Sequence, residues 1–410
     1  MPSRFAALSR DQLSTLVPEL LLIGHLIDRS GMAYALGEWG PDEMTKIAID
    51  EWMACSPIYT RRMQRTLQFE GDDVVTIFKG IQLEIGAPPQ FLDFRFWVEE
   101  GNPYRGGFHL DHCGALLDVE PMGEVMVKNM CHDIEDPTFD ATAVATNPKA
   151  QVRPVHRPPR SPAGRTPHCA WTVTIDPSHP DVQPHPDLAV IARKRVATLE
   201  LDPIDVTESG ATDYSGDLVS DIDFAGFAHS ALVRLADEVC IQQHLLFLSF
   251  AHAVRNRAKD DEQQLLRVIR NQLIGHAGLA AERLTKALGL SPTPEDAVRL
   301  LELHPVMNPV PYVDFRRDGA TITVRPSAAH EDGAWLSLID PEHPEALQAI
   351  VRGLSPYLDV EINGDATSWT AQVVERDTPA PEAEPVQITK FSGGATFQFE
   401  PRTTLPLFVV

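Results

Sequence analysis

The chain has 410 residues and carries 58 acidic against 35 basic side chains, a formal net charge of −23. Nucleic-acid binding needs a basic face, so that balance argues against a phosphate-backbone partner. The 43% hydrophobic content is ordinary for a globular chain, and no run approaches the roughly 18–20 apolar residues of a membrane span.

The start, Met1-Pro2-Ser3-Arg4-Phe5, has no apolar core of signal-peptide type, so a cytoplasmic location is expected. Five scattered cysteines form no disulfide framework, and reduced thiols are expected.

In chain order, Asp11 to Ser30 reads as a helix, with Leu13, Leu16, Leu20, Leu21, Ile23 and Leu26 at mixed spacings of three and four. A longer helical pattern follows from Asp42 to about Gln68, with Pro57 expected to bend or break it. Asp72 or Asp73 is expected to cap a third helix that ends at Gly86. Phe91 to Val98 alternates as a strand, with Leu92, Phe94, Phe96 and Val98 on one face. Glu120 to Met130 reads as a short helix that leaves Cys131 at its end. The Pro/Arg-rich passage from Pro137 to Pro167 is expected to hold little regular structure before a strand at Cys169–Ile175.

The second half begins after an acidic, Gly/Ser/Thr-rich stretch at 202–223 that reads as a linker. Two long helices are expected at about Phe224–Arg257 and Asp260–Leu288. A third is capped by Pro292-Thr293-Pro294 and runs through Leu303. Strands are expected at Tyr312–Arg317, Thr321–Arg325, Trp335–Ile339 and Trp369–Glu375, with a helix at Pro344–Gly353. Thr378–Pro385 reads as a Pro/Ala/Glu linker, followed by a hairpin of Gln387–Phe391 and Ala395–Phe399 around Gly393-Gly394.

The element order repeats, and so do some residues. Phe91-Leu92-Asp93-Phe94-Arg95 has its counterpart in Tyr312-Val313-Asp314-Phe315-Arg316, and Trp171-Thr172 in Trp369-Thr370. The expectation is an α+β protein of two related modules arising by internal duplication, each with helices packed on a small, mainly antiparallel sheet. Residues 1–201 form the first module and 224–377 the second, followed by a C-terminal linker and hairpin at 378–410.

The chemistry concentrates between Phe108 and Trp171, which holds three of the five cysteines and five of the fifteen histidines. Thiols and imidazoles ionise, attack carbon or bind soft metals near neutral pH. Three readings stay open. In a metal-free thiol site, Cys113 or Cys131 would be the nucleophile, with His109 or His112 as base and Asp133 as orienter. In a zinc site, His109, Cys113, Cys131 and Cys169 would supply the ligands, although their spacing matches no standard signature. In the third, the cysteines are buried core residues. The basic island containing Arg153, Arg157 and Arg160 would suit a carboxylate-bearing substrate. No nucleotide-binding loop, haem attachment motif, nucleophile elbow or EF-hand loop is present.

The pieces Cys113-Gly114-Ala115-Leu116-Leu117, Met122-Gly123, Cys131-His132-Asp133, Asn147-Pro148 and Cys169-Ala170-Trp171 resemble the L-2-amino-thiazoline-4-carboxylic acid hydrolase family. The resemblance runs from Leu83 to Ile175 and extends, more distantly, to vinyl-reductase-like ligand-sensing modules whose clustered cysteines hold zinc. This chain departs from the pattern through His109 and His112, the insertion between Asp133 and Cys169, and the second module. The resemblance implies a small-molecule hydrolase acting on a C–N bond of a heterocycle or amide, without fixing the substrate. The alternative is a non-catalytic, zinc-containing ligand-binding or sensing module. A third reading is a scaffold whose long central helices form a homo-oligomer face.

Overall fold

A computed structural model describes residues 2–407. In the first half, helices α1 (Arg10–His25), α2 (Asp28–Thr66) and α3 (Val74–Ile81) precede strands β1 (Leu92–Val98) and β2 (Arg105–Cys113). Helices α4 (Gly114–Val119) and α5 (Glu124–Lys128) lead into a π-helical segment, Asn129–Ile134, and then α6 (Glu135–Val144). Strands β3 (Ala150–His156) and β4 (Cys169–Ile175) follow, then a short α7 (Leu188–Ile191).

The second half contains α8 (His229–Ala258), α9 (Glu262–Leu288), α10 (Pro294–Leu303), β5 (Phe315–Asp318) and β6 (Thr321–Val324). It continues with α11 (Ala328–Asp332), α12 (Glu345–Leu354), β7 (Leu358–Gly364), β8 (Trp369–Glu375) and α13 (Glu384–Thr389). The molecule is α+β, with two separate four-stranded antiparallel sheets ordered β1-β2-β4-β3 and β5-β6-β8-β7. Among the described residues, no helix is long and apolar enough to cross a membrane.

Local chemistry explains most of these elements. Ser9 and Gln12 form a reciprocal capping box on α1. Asp73 accepts the Thr76 N–H at 2.8 Å and so starts α3, as expected from the sequence. Thr293 caps α10 with Pro294 at its first turn. Asp28 to Thr66 runs as one long helical element across Pro57, with its break at Gly40, where φ is +80°. The expected inward face of β1 is the buried one: Leu92, Phe94, Phe96 and Val98 all lie in the core.

Four expectations need correction. The Pro137–Pro167 passage contains the second part of α6 and all of β3, because Val152 and Ala150 bury against β4 despite the surrounding prolines. Trp335–Leu338 is a 3-10 turn rather than a strand; a short apolar run suits either, and here Trp335 stacks on His276 at 4.6 Å. Tyr312–Arg317 contributes to a strand only from Phe315 onward. The C-terminal hairpin is instead α13 and a tight turn at Gly393–Thr396. Gly394 packs so closely that an added Cβ would lie 2.6 Å from Leu26 Cδ2, and the turn seats there on the first half.

The halves share one core. Apolar residues of α1, α2, α8 and α9 merge into a single buried cluster that runs on beneath the second sheet. Within it, Arg62 of α2 makes a bidentate ion pair with Glu238 of α8, at 2.8 and 2.9 Å. A second cluster lies against the first sheet. The acidic stretch 202–223 is irregular and strapped down: Lys79 donates to the Tyr214 and Gly216 carbonyls, and the Tyr214 hydroxyl donates to Gln82 at 2.8 Å.

Candidate functional site: an internal cavity of the first half

A cavity of about 320 Å³ opens between α2 and the first sheet, within the size range of small-molecule sites. One wall is α2, with Met32 and Leu36 before its break at Gly40 and Met44, Ala48, Trp52 and Tyr59 at helical spacing after it. Leu92 and Phe94 of β1, Leu110 and Cys113 of β2, and Cys169 of β4 form the opposite wall. Phe139 of α6 and Phe391 of the C-terminal segment also line the cavity. Leu36, Met122 and Phe391 are also exposed, which marks the side on which the cavity meets solvent.

A bulge in β2 decides which residues face the cavity. Phe94 pairs with Leu110 and Leu92 with Cys113, so one residue of β1 lies opposite two of β2, Asp111 and His112. The extra residue shifts the side-chain alternation by one place. Cys113 therefore joins Leu110 on the inner face, whereas His109 lies on the outer face, 3.4 Å from Asp111 and 38% exposed. In an unbulged strand His109 and Cys113 would share a face, which is how their spacing reads in sequence. The bulge divides the expected ligand set His109, Cys113, Cys131 and Cys169. Among the described residues, no group of three or more His, Cys, Asp or Glu is arranged to hold a metal. His109 lies on the opposite face of the sheet from Cys113.

The π-helical segment makes a second substitution. In a π-turn, residues five apart share a face. Asn129 with Ile134, and Met130 with Glu135, accordingly line the cavity in pairs. Asp133, the expected orienter, is exposed, and Glu135 takes the inward position. One carboxylate oxygen of Glu135 is buried without a partner. Burial, reinforced by neighbouring Asp136, pushes this carboxyl up to about 8.

The three thiols are buried and unpaired. Burial, followed by the nearby Glu135 carboxyl, pushes Cys113 up to about 12 and drives Cys131 and Cys169 well upward. Cys113 also caps α4, its Sγ accepting the Leu116 N–H at 3.3 Å. Gly114 follows it because an added Cβ would lie 2.1 Å from the Phe91 ring. Thiols in such surroundings stay protonated near neutral pH and are poor nucleophiles. Cys113 and Cys169 line the cavity, and Cys131 is buried at the π-helical segment.

The remaining expected site residues lie around this wall. The His112 ring centroid is 6.1 Å from that of His168, and His132 Nε2 donates to the Pro158 carbonyl at 2.6 Å. Each of the three arginines is matched by an acid. Arg153 pairs with Asp140 at 2.9 Å, Arg157 with Asp136, and Arg160 bidentately with Glu120 at 2.7 and 2.8 Å. Arg157 also lies over the Trp171 ring. None of the three lines the cavity.

The polar groups that do line it come from the junction of α1 and α2. His25, Asp28 and Arg29 are 8%, 8% and 7% exposed and face the cavity one helical turn apart. The Trp52 indole N–H donates to one Asp28 oxygen at 3.0 Å. Arg29 Nε donates to Asp118 at 3.1 Å, and Asp118 also accepts from the Ser392 hydroxyl at 2.6 Å and the Gly393 N–H at 2.8 Å. Behind this junction lies Glu51, which burial, followed by the Asp28 charge, pushes far up. Glu84 accepts from the Thr60 hydroxyl at 2.5 Å and is raised by burial to about 7. A visible sequence signal was available: Asp28 and Glu51 of α2, and Glu84 in the turn after α3, are carboxylates amid apolar residues, where an acid is rarely buried unless partnered.

No family model, no curated protein and no solved structure matches the chain. The resemblance to the hydrolase family therefore rests on the cysteine-stretch residues alone.

Proposed function

We propose that the first half of the protein binds a small, mainly apolar molecule inside the cavity between α2 and the first sheet. The observation that carries this reading is the cavity: about 320 Å³, walled chiefly by buried apolar and aromatic side chains, with few polar groups. The raised thiols fit a binding site better than a thiolate nucleophile. In this reading the second half, which repeats the strand order and packs its sheet on α10 and α12, is a structural partner derived by duplication. Titrating naphthalene into the protein and following thermal stability tests the proposal. A saturable rise in Tm is expected, whereas a flat response at ligand saturation of the buffer would refute it.

A second reading, hydrolysis of a C–N bond in the bound molecule, is favoured by one observation. Glu135, raised to about 8, lies on the cavity wall and can hold or deliver a proton near neutral pH. Here Glu135 would be the general acid or base, and Cys113 would shape the wall. Release of product from a panel of amides and cyclic imines should then disappear in Glu135→Gln while binding persists. Turnover that survives Glu135→Gln would exclude this role.

A further inference from the structure

Three side chains at the α1–α2 junction are built to receive a particular head group. His25, Asp28 and Arg29 are each more than nine-tenths buried and line the cavity. Both His25 ring nitrogens, Asp28 Oδ1 and Arg29 Nη2 have no hydrogen-bond partner. Asp28 is held through Trp52 and Arg29 through Asp118 and Ser392, while the His25 ring packs against those of Trp52 and Phe91. A buried donor or acceptor left unmade is unfavourable, and the four on these three adjacent side chains form a site awaiting complementary atoms.

The vacant atoms specify those atoms. Arg29 Nη2 offers only N–H, so it needs an acceptor. As a carboxylate oxygen, Asp28 Oδ1 accepts through its lone pairs, so it needs a donor. A neutral imidazole at His25 can serve either neighbour. Net charge narrows the choice further, because Asp118 already balances Arg29, while Asp28 faces the Glu51 carboxyl. A ligand carboxylate would bring a further negative charge to the Asp28–Glu51 pair. A ligand cation would bring a positive charge beside Arg29. Either charge would also be desolvated in an apolar cavity.

Building on the cavity reading, we propose that the ligand presents a neutral, planar group with an acceptor beside an N–H donor, as in a carboxamide, lactam or cyclic urea. Its carbonyl accepts from Arg29, its N–H donates to Asp28, and its apolar body extends along the α2 face toward Ala48 and Met44.

Calorimetric titration with naphthalene, 2-naphthamide, 2-naphthoate and 2-naphthamidine separates the possibilities on one ring system. The amide is expected to bind at least tenfold more tightly than the other three. A naphthoate or naphthamidine as tight as the amide, or an amide no tighter than naphthalene, would overturn the proposal while leaving the cavity reading intact. Failure of naphthalene and all its derivatives to bind would remove both. Asp28→Asn gives an independent arm. Trp52 would keep the side-chain oxygen and the new amide N–H₂ would face the cavity, so the preference should move from 2-naphthamide to 2-naphthoate. An unchanged ranking in this variant, with the fold verified by circular dichroism, would also count against the assignment. Should the variant fail to fold, the wild-type ranking decides.

Discussion

The two sheets have the same strand order, and each buries a tryptophan on the last of its strands in chain order, Trp171 in one and Trp369 in the other. They differ in what lies against them. The second sheet packs on α10 and α12, whereas a cavity separates much of the first from α2. Two local irregularities shape that first half. The bulge in β2 turns Cys113 inward, and the π-turn before α6 turns Glu135 inward. The same strand order thus borders an apolar cavity in one half and closely packed helices in the other, and the bulge and the π-turn decide which side chains face that cavity.

The largest effects should be the ones the two halves share. Trp171→Ala and Trp369→Ala each remove a fully buried indole and should each cost about 3–5 kcal/mol. Because α1, α2, α8 and α9 share one core, urea unfolding of either variant should keep a single transition at a lower midpoint. Two separated transitions would divide the molecule into independent halves.

A smaller effect should appear only in the cavity half. Glu135 is held above its usual value by burial, so the folded state retains a proton that the unfolded chain has released. Between about pH 4.5 and 8, rising pH should therefore lower stability, with a slope on the order of 1 kcal/mol per pH unit from this group. Glu135→Gln should flatten that dependence in pH-resolved thermal melts. An unchanged slope would show that Glu135 is ionised in the fold. Smaller still should be the effect of His109→Ala on the outer face, within about 0.5 kcal/mol and without change in naphthalene binding. A large loss of binding would place His109 at the site after all.

The sequence made the framework legible wherever periodicity and caps agreed, as at Asp73, Thr293 and the alternating face of β1. Two residues of the cysteine stretch, Cys113 and Cys169, line the cavity. Finer assignments failed where a single residue of register matters. His109 and Cys113 share parity in sequence and are separated by a bulge. Asp133 is exposed and Glu135 lies on the cavity wall, because a π-turn intervenes. Strand β3 was hidden by its prolines, although Pro154 tolerates an edge position that leaves its missing N–H without consequence. The polar junction of His25, Asp28 and Arg29 lay about eighty residues before the cysteines, and only the folding of α2 across the sheet brings them together.

The central claim is that the space beside α2 is a binding site, and filling it tests that claim most directly. Ala48 is buried on the cavity wall and belongs to neither apolar cluster, so Ala48→Phe should occupy the cavity without displacing core side chains. Naphthalene should then cease to raise Tm, while the unliganded variant melts at or above the wild-type temperature. Undiminished naphthalene binding by a folded Ala48→Phe protein would contradict the assignment.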